Sequence, residues 1–336
     1  MAACHILRGF VIIYYITAPS CTAPQGASLV GWALEALAVL KVRASAALTS
    51  LLWFLIFIRL PREHFLLHIL RGPRRYKMNY HHHQHATSSG SRTARRNLEF
   101  GRTYVVRPKG KHQATIVWLH GLGDNGSSAS QLLESLPLTN IKWICPTAPT
   151  RPVALLGGFP CTAWFDVGEI SEEGPADWEG LDASAAHIAN LLSTEPADVK
   201  LGIGGFSMGA ATAIYSATCF ALGRYVNGNP YMINLRAVIG LSGWLPGARS
   251  LRNKMEGSNE ALRRAASLPM LLCHGNCDDV VPYSYGEKSS RYLSAAGFRY
   301  VAFKSFDGLG HFTVPTEMGD VCSWVSARLG LDGSRP

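Results

Sequence analysis

The sequence runs to 336 residues, 47% hydrophobic and 16% charged, enough to bury one large core and too apolar for a disordered chain. Its formal charge of +9 sits wholly in the first third: residues 1–101 carry twelve Lys/Arg against three Asp/Glu, which leaves twenty of each for 102–336. A charge-balanced body gives a nucleic-acid backbone no electrostatic footing, and eight scattered cysteines without short regular spacings exclude a disulfide-dense extracellular scaffold and fit reduced thiols in a cytoplasmic setting.

Residues 1–75 read as an N-terminal extension. They hold an apolar run from Gly9 to Ala18 and a second, ASAALTSLLWFLIFI, over 44–58 between Arg43 and Arg59. Fifteen residues fall short of the roughly 20 that cross a bilayer as a helix, and extending the run toward the N-terminus would bury Lys41 and Arg43. Three readings stay open: a membrane-associating anchor or interfacial helix, a cleaved signal with a poor small-residue site, or a dispensable extension with Met78 as an alternative start. Residues 76–99, rich in Ser, His and Arg, read as a disordered linker. Its histidines, His81, His82, His83 and His85, have nothing beside them to fix a coordination geometry, so no metal site is expected. Cys273, His274 and Cys277 lack the second ligand pair that zinc requires.

From residue 100 to 331, β-rich runs alternate with helical patterns. Strands are expected at 103–107, 115–119, 142–145, 200–204, 237–241, 270–273 and 299–303, and helices at 128–135, 181–193, 210–222, 260–266, 285–296 and 317–329. This alternation predicts an α/β domain with a mostly parallel sheet covered by helices on both faces. In such a sheet the chemistry gathers on loops at the carboxyl ends of the strands.

One such loop reads strand, sharp turn, helix: Val199 to Tyr215, with Ser207 between Gly205 and Gly209. The G-x-S-x-G pattern is weak by itself and informative in this context, because the strained turn leaves little room for side chains beside an exposed hydroxyl. A serine hydroxyl needs a base to take its proton and a third group to orient that base. The strand at 270–273 runs into Asp278 and Asp279, with Asp278 preferred as the orienting carboxylate. The last strand leads to Gly310-His311 ahead of the final helix, which makes His311 the base. After the strand at 115–119 comes His120-Gly-Leu-Gly-Asp-Asn-Gly126, a turn whose backbone amides suit a developing oxyanion; Leu122 and Met208 are assigned as donors. The turn lacks the Lys-Ser/Thr of a phosphate loop and the spacing of a dinucleotide site. His120 precedes the serine and is read as structural.

HGLGDNG at 120–126, ICPTAPTRPV at 144–153, WFD at 164–166, GFSMGA at 205–210, LSGWLP at 241–246 and CHGNCDDVVP at 273–282 together resemble the acyl-protein thioesterases of the phospholipase/carboxylesterase group, the plant members in particular. The resemblance covers about residues 100–331. It implies an α/β-hydrolase fold, a triad of Ser207, Asp278 and His311, an oxyanion hole including Leu122, and action on carboxylic esters or acyl-cysteine thioesters without a cofactor, the partner being an acylated protein or a small acyl ester. Animal members often place Gln after the serine, where this chain has Met208 and keeps only the backbone donor. Polar stretches at 223–234 and 249–267 are inserted. Trp164, Phe165 and Leu155 are candidates for lining an acyl channel, with plain packing as the alternative. A non-catalytic ligand receptor or scaffold of the same fold, and a peptidase, are the rival functions.

Overall fold

The computed structural model describes residues 98–171 and 177–331. The extension at 1–75, its apolar run at 44–58, Met78 and nearly all of the linker at 76–99 lie outside the described residues. Among the described residues no helix is long and apolar enough to cross a membrane.

Among the described residues seven strands form the central sheet: β1 (Tyr104–Val106), β2 (Ala114–Leu119), β3 (Ile141–Cys145), β6 (Lys200–Phe206), β7 (Leu235–Leu241), β8 (Pro269–Gly275) and β9 (Tyr300–Phe306), in the order β1-β3-β2-β6-β7-β8-β9. Only β1 runs antiparallel, against β3; the others pair in parallel. A parallel strand covered on both faces must be apolar on both faces. β2 is buried at every position and splits its side chains by parity, Val117 and Leu119 to one core and Ile116 and Trp118 to the other.

Helices α1 (Gly126–Glu134) and α7 (Pro315–Leu329) seal one face through Leu133, Val321 and Val325. The larger core on the opposite face takes α2 (Trp178–Ser193), α3 (Met208–Leu222), α4 (Ala248–Met255), α5 (Asn259–Ser267) and α6 (Tyr283–Ala295). α3 is buried at every position from Met208 to Ala221, which its run of Ala, Ser and Thr permits: small side chains let it lie between the sheet and the outer helices. Three elements were not legible in the sequence. β4 (Thr150–Val153) and β5 (Phe159–Thr162) form a separate antiparallel hairpin, joined by a 3-10 turn at Ala154–Leu156. Pro152 and Pro160 lie opposite one another in it, an arrangement that two strands outside the main sheet tolerate. α4 carries four charged or amide side chains in eight residues and escapes a search for apolar periodicity.

The chain leaves β2 for β3 on one side, and β6 continues the sheet on the other. That reversal opens a crevice beyond the carboxyl ends of β2 and β6. The turns after both strands project into it.

Candidate active site

Ser207 sits between β6 and α3 with φ 56° and ψ −122°, in a region that favours glycine and costs a β-carbon-bearing residue about 1–3 kcal/mol. The strain is held by its surroundings. The Ser207 amide donates to Leu241 O at 2.8 Å, and the flanking glycines admit close backbone approach. A β-carbon on Gly209 would lie 2.2 Å from Leu119 O, and one on Gly205 would lie 2.6 Å from the Gly209 carbonyl carbon. Both glycines are therefore required for α3 to start against the end of β2.

The turns after β8 and β9 are fastened to each other. Asn276 N donates to Phe306 O and Cys277 N to Leu309 O at 3.0 Å, while the Asn276 side chain bridges Asp307 and the Gly308 amide. This fastening brings Asp278 and His311 face to face. His311 Nδ1 lies 2.8 Å from Asp278 Oδ2, and its Nε2 lies 2.9 Å from Ser207 Oγ. A carboxylate only accepts, so Nδ1 carries the proton and Nε2 is left to accept from the serine hydroxyl. The Phe206 ring packs on the His311 ring at 4.8 Å between centroids.

Asp278 is buried, and burial by itself would push its carboxyl up. Hydrogen bonds from His274 and His311, the charge on His311 and the Val281 amide outweigh burial and hold it well below the usual carboxylate range. Its other oxygen takes the amides of Val280 and Val281 at 3.0 and 2.9 Å. Asp279 is exposed and takes no part in this arrangement.

The glycine-rich turn after β2 is pinned from below. His120 is buried, accepts the Ala148 amide at Nε2 (3.0 Å) and donates from Nδ1 to Gly121 O (2.7 Å). Burial pushes its imidazole below the ordinary range, consistent with that single neutral tautomer. Trp164 Nε1 donates to His120 O at 2.9 Å. The Met208 amide belongs to the first turn of α3, where helical amides lack internal acceptors, and neither it nor the Leu122 amide meets an acceptor among the described residues. Two free amides, one at the start of α3 and one in the turn after β2, beside a serine hydroxyl and an oriented imidazole, can perform acyl transfer.

Trp164 and Phe165 are fully buried, the first supporting the oxyanion turn and the second packed edge-on against Trp244 at 6.0 Å. Packing accounts for both. Leu155 is different: it is 52% exposed on the hairpin, near Phe159 at 63%. Val280 beside Asp278 and Phe312 beside His311 are exposed too, at 53% and 44%. Sequence reasoning missed Phe159, Val280 and Phe312, because exposure of an apolar side chain leaves no periodic signal.

A family model described as phospholipase/carboxylesterase matches residues 101–329. Acyl-protein thioesterase 1 homolog 1 of Dictyostelium discoideum is 31% identical over 236 residues, 68% of this chain and 96% of the relative. The chain belongs to the phospholipase/carboxylesterase family. Among solved structures, Zea mays acyl-protein thioesterase 2 is 70% identical with a TM-score of 0.68, covering 68% of this chain and 100% of that one. Arabidopsis thaliana SOBER1 is 28% identical with a TM-score of 0.53, covering 65% and 99%. As a member of this family the chain is a serine hydrolase of the α/β-hydrolase fold.

Proposed function

We propose that the chain is an acyl-protein thioesterase that cleaves acyl groups from cysteine thioesters, and also turns over carboxylic esters, through an acyl intermediate on Ser207. The observation that carries this reading is the run of contacts from Ser207 Oγ through the His311 ring to Asp278, at 2.9 and 2.8 Å. The names of the relatives support the substrate class.

In this mechanism the Ser207 hydroxyl gives its proton to His311 Nε2 as its oxygen bonds to the acyl carbon. The Leu122 and Met208 amides hold the oxyanion. Collapse breaks the carbon–sulfur or carbon–oxygen bond, and the leaving group takes the proton from His311. Water then gives a proton to His311, attacks the acyl carbon, and releases the carboxylic acid as the proton returns to Ser207. Asp278 remains ionised and steadies the imidazolium in both halves. Leu155 and its exposed apolar neighbours offer a fatty acyl chain a wall of matching chemistry. We further propose a cytoplasmic location, with residues 44–58 as the segment that associates with membrane. Fractionation at neutral pH tests this: a full-length product found wholly in the soluble fraction contradicts membrane association.

The decisive experiment is a panel of acyl thioesters and esters of rising chain length, with Ser207→Ala as control and a fluorophosphonate probe on the wild type. Turnover of thioesters and labelling at Ser207, both lost in Ser207→Ala, are expected. A folded wild-type protein that neither labels nor turns over any member of the panel would sink the reading.

A further inference from the structure

A second cavity, of about 290 Å³, lies between α2, α3, α4 and the loop that follows α3. Its wall on α3 runs from Tyr215 to Leu222, eight to fifteen residues beyond Ser207. At 1.5 Å per residue that is roughly 12–22 Å along the helix. No group of the triad or of the oxyanion turn borders the cavity, and the acyl-transfer reaction makes no use of it.

One wall is the polar stretch inserted after α3, and it is fastened at several points. Tyr225 N donates to Asn229 O at 2.9 Å, Gly228 N to Tyr225 O at 3.1 Å and Tyr231 N to Gly223 O at 3.0 Å. From α2, the buried carboxylate of Asp182 accepts the Val226 and Asn227 amides at 3.1 and 2.8 Å, together with the hydroxyl of Tyr215. Three donors satisfy that acid, and through them it ties α2, α3 and the loop together. The wall is therefore set before anything enters the cavity, as a binding site requires.

Three rings line the cavity, Trp178, Tyr215 and Tyr225, the first two 5.8 Å apart between centroids. Two cations complete the lining: Lys254, whose Nζ stands 4.8 Å over the Trp178 ring, and Arg224 at the start of the loop. Other cations of α4 and α5 are neutralised, Arg252 by Glu256 and Arg264 by Glu260, whereas Lys254 and Arg224 have no carboxylate partner among the described residues. Tyr225 is only 9% exposed, yet its hydroxyl has no hydrogen-bond partner among the described residues. Burial pushes that phenol up to about 12, so it stays a neutral O–H donor. A buried donor left idle is costly, and an acceptor on a ligand removes the cost. We propose that this cavity is a second binding site, separate from the catalytic crevice, for a planar aromatic anion. The ligand's rings pack on Trp178 and Tyr225, while Lys254, Arg224 and the Tyr225 hydroxyl supply the donors that its negative oxygens need.

Equilibrium dialysis of 2-naphthoate against the full chain tests this, with 2-naphthalenemethanol as the same rings without the charge. Wild type should bind the carboxylate with a Kd of about 100 µM, and the alcohol about 10-fold more weakly. Lys254→Glu and Arg224→Glu each reverse an exposed charge and so leave the fold intact; each should weaken the carboxylate about 10-fold, and Tyr225→Phe about 3- to 5-fold. Leu155→Asp, which alters the catalytic crevice, should bind as wild type does. Retention by wild type of neither compound up to about 1 mM, or equal retention of both, overturns the proposal. So does binding that Leu155→Asp weakens and the two charge reversals leave unchanged, because the probe then sits in the catalytic crevice. Turnover is not read in any arm, so the result is independent of the reaction at Ser207.

Discussion

The two buried carboxylates Asp278 and Glu317 have opposite linkage to stability. Asp278 is held below its ordinary range, so its contribution is fully present above the unfolded value of 3.8 and is lost as pH falls through the folded value. Asp278→Asn should lower stability at neutral pH, flatten the acid limb below about pH 4 in urea titrations, and cut kcat by about 10³- to 10⁴-fold, because the imidazole loses its orienting acceptor. Glu317 is raised from 4.5 to about 7, so the folded state binds more protons between those values and stability declines as pH rises through them. Urea midpoints of Glu317→Gln should stay level across that window while wild type loses on the order of 3 kcal/mol. Equal pH dependence in the two would show that Glu317 does not titrate there.

At the scale of elements, the site is assembled by four turns, after β2, β6, β8 and β9, each fixed by a contact its own sequence does not contain. Gly209 is needed because Leu119 O approaches it, and the turn after β2 is held by Trp164, forty-four residues beyond His120. The β4–β5 hairpin is tied to the turn after β2, where Gly123 N donates to Thr162 O at 2.9 Å and Thr162 Oγ1 donates to Asp124 O at 2.8 Å, and it carries Leu155 at its tip. Leu155→Asp should raise KM for long acyl chains about 10-fold, leave short chains within about 2-fold, and leave kcat on short substrates unchanged, consistent with loss of one buried apolar contact. Equal effects on short and long chains would remove Leu155 from the acyl-binding wall.

For the whole molecule, both cores and all four turns fall within the described residues. The family match at 101–329 and the full coverage of the maize structure agree with that extent. A chain starting at Met78 should therefore keep its cooperative melting and at least half of its turnover of short acyl thioesters. Loss of cooperative melting would mean that residues 1–77 contribute to the fold.

Much of this was written in the sequence. Strand runs of Val, Ile and Trp, helices of apolar periodicity and the order Ser207, Asp278, His311 all lie in local composition and spacing, because parallel strands buried on two faces must be apolar throughout and the fold puts its chemistry at their carboxyl ends. The choice of Asp278 over Asp279 was a preference that only the paired turns after β8 and β9 turned into a contact. The burial of Trp164 and Phe165, the hairpin with its exposed Phe159, and the full burial of Glu317 belong to tertiary structure alone. Each depends on what residues far along the chain place around a side chain. Period and spacing report which face a residue takes, whereas solvation and partnership are settled only when the elements pack.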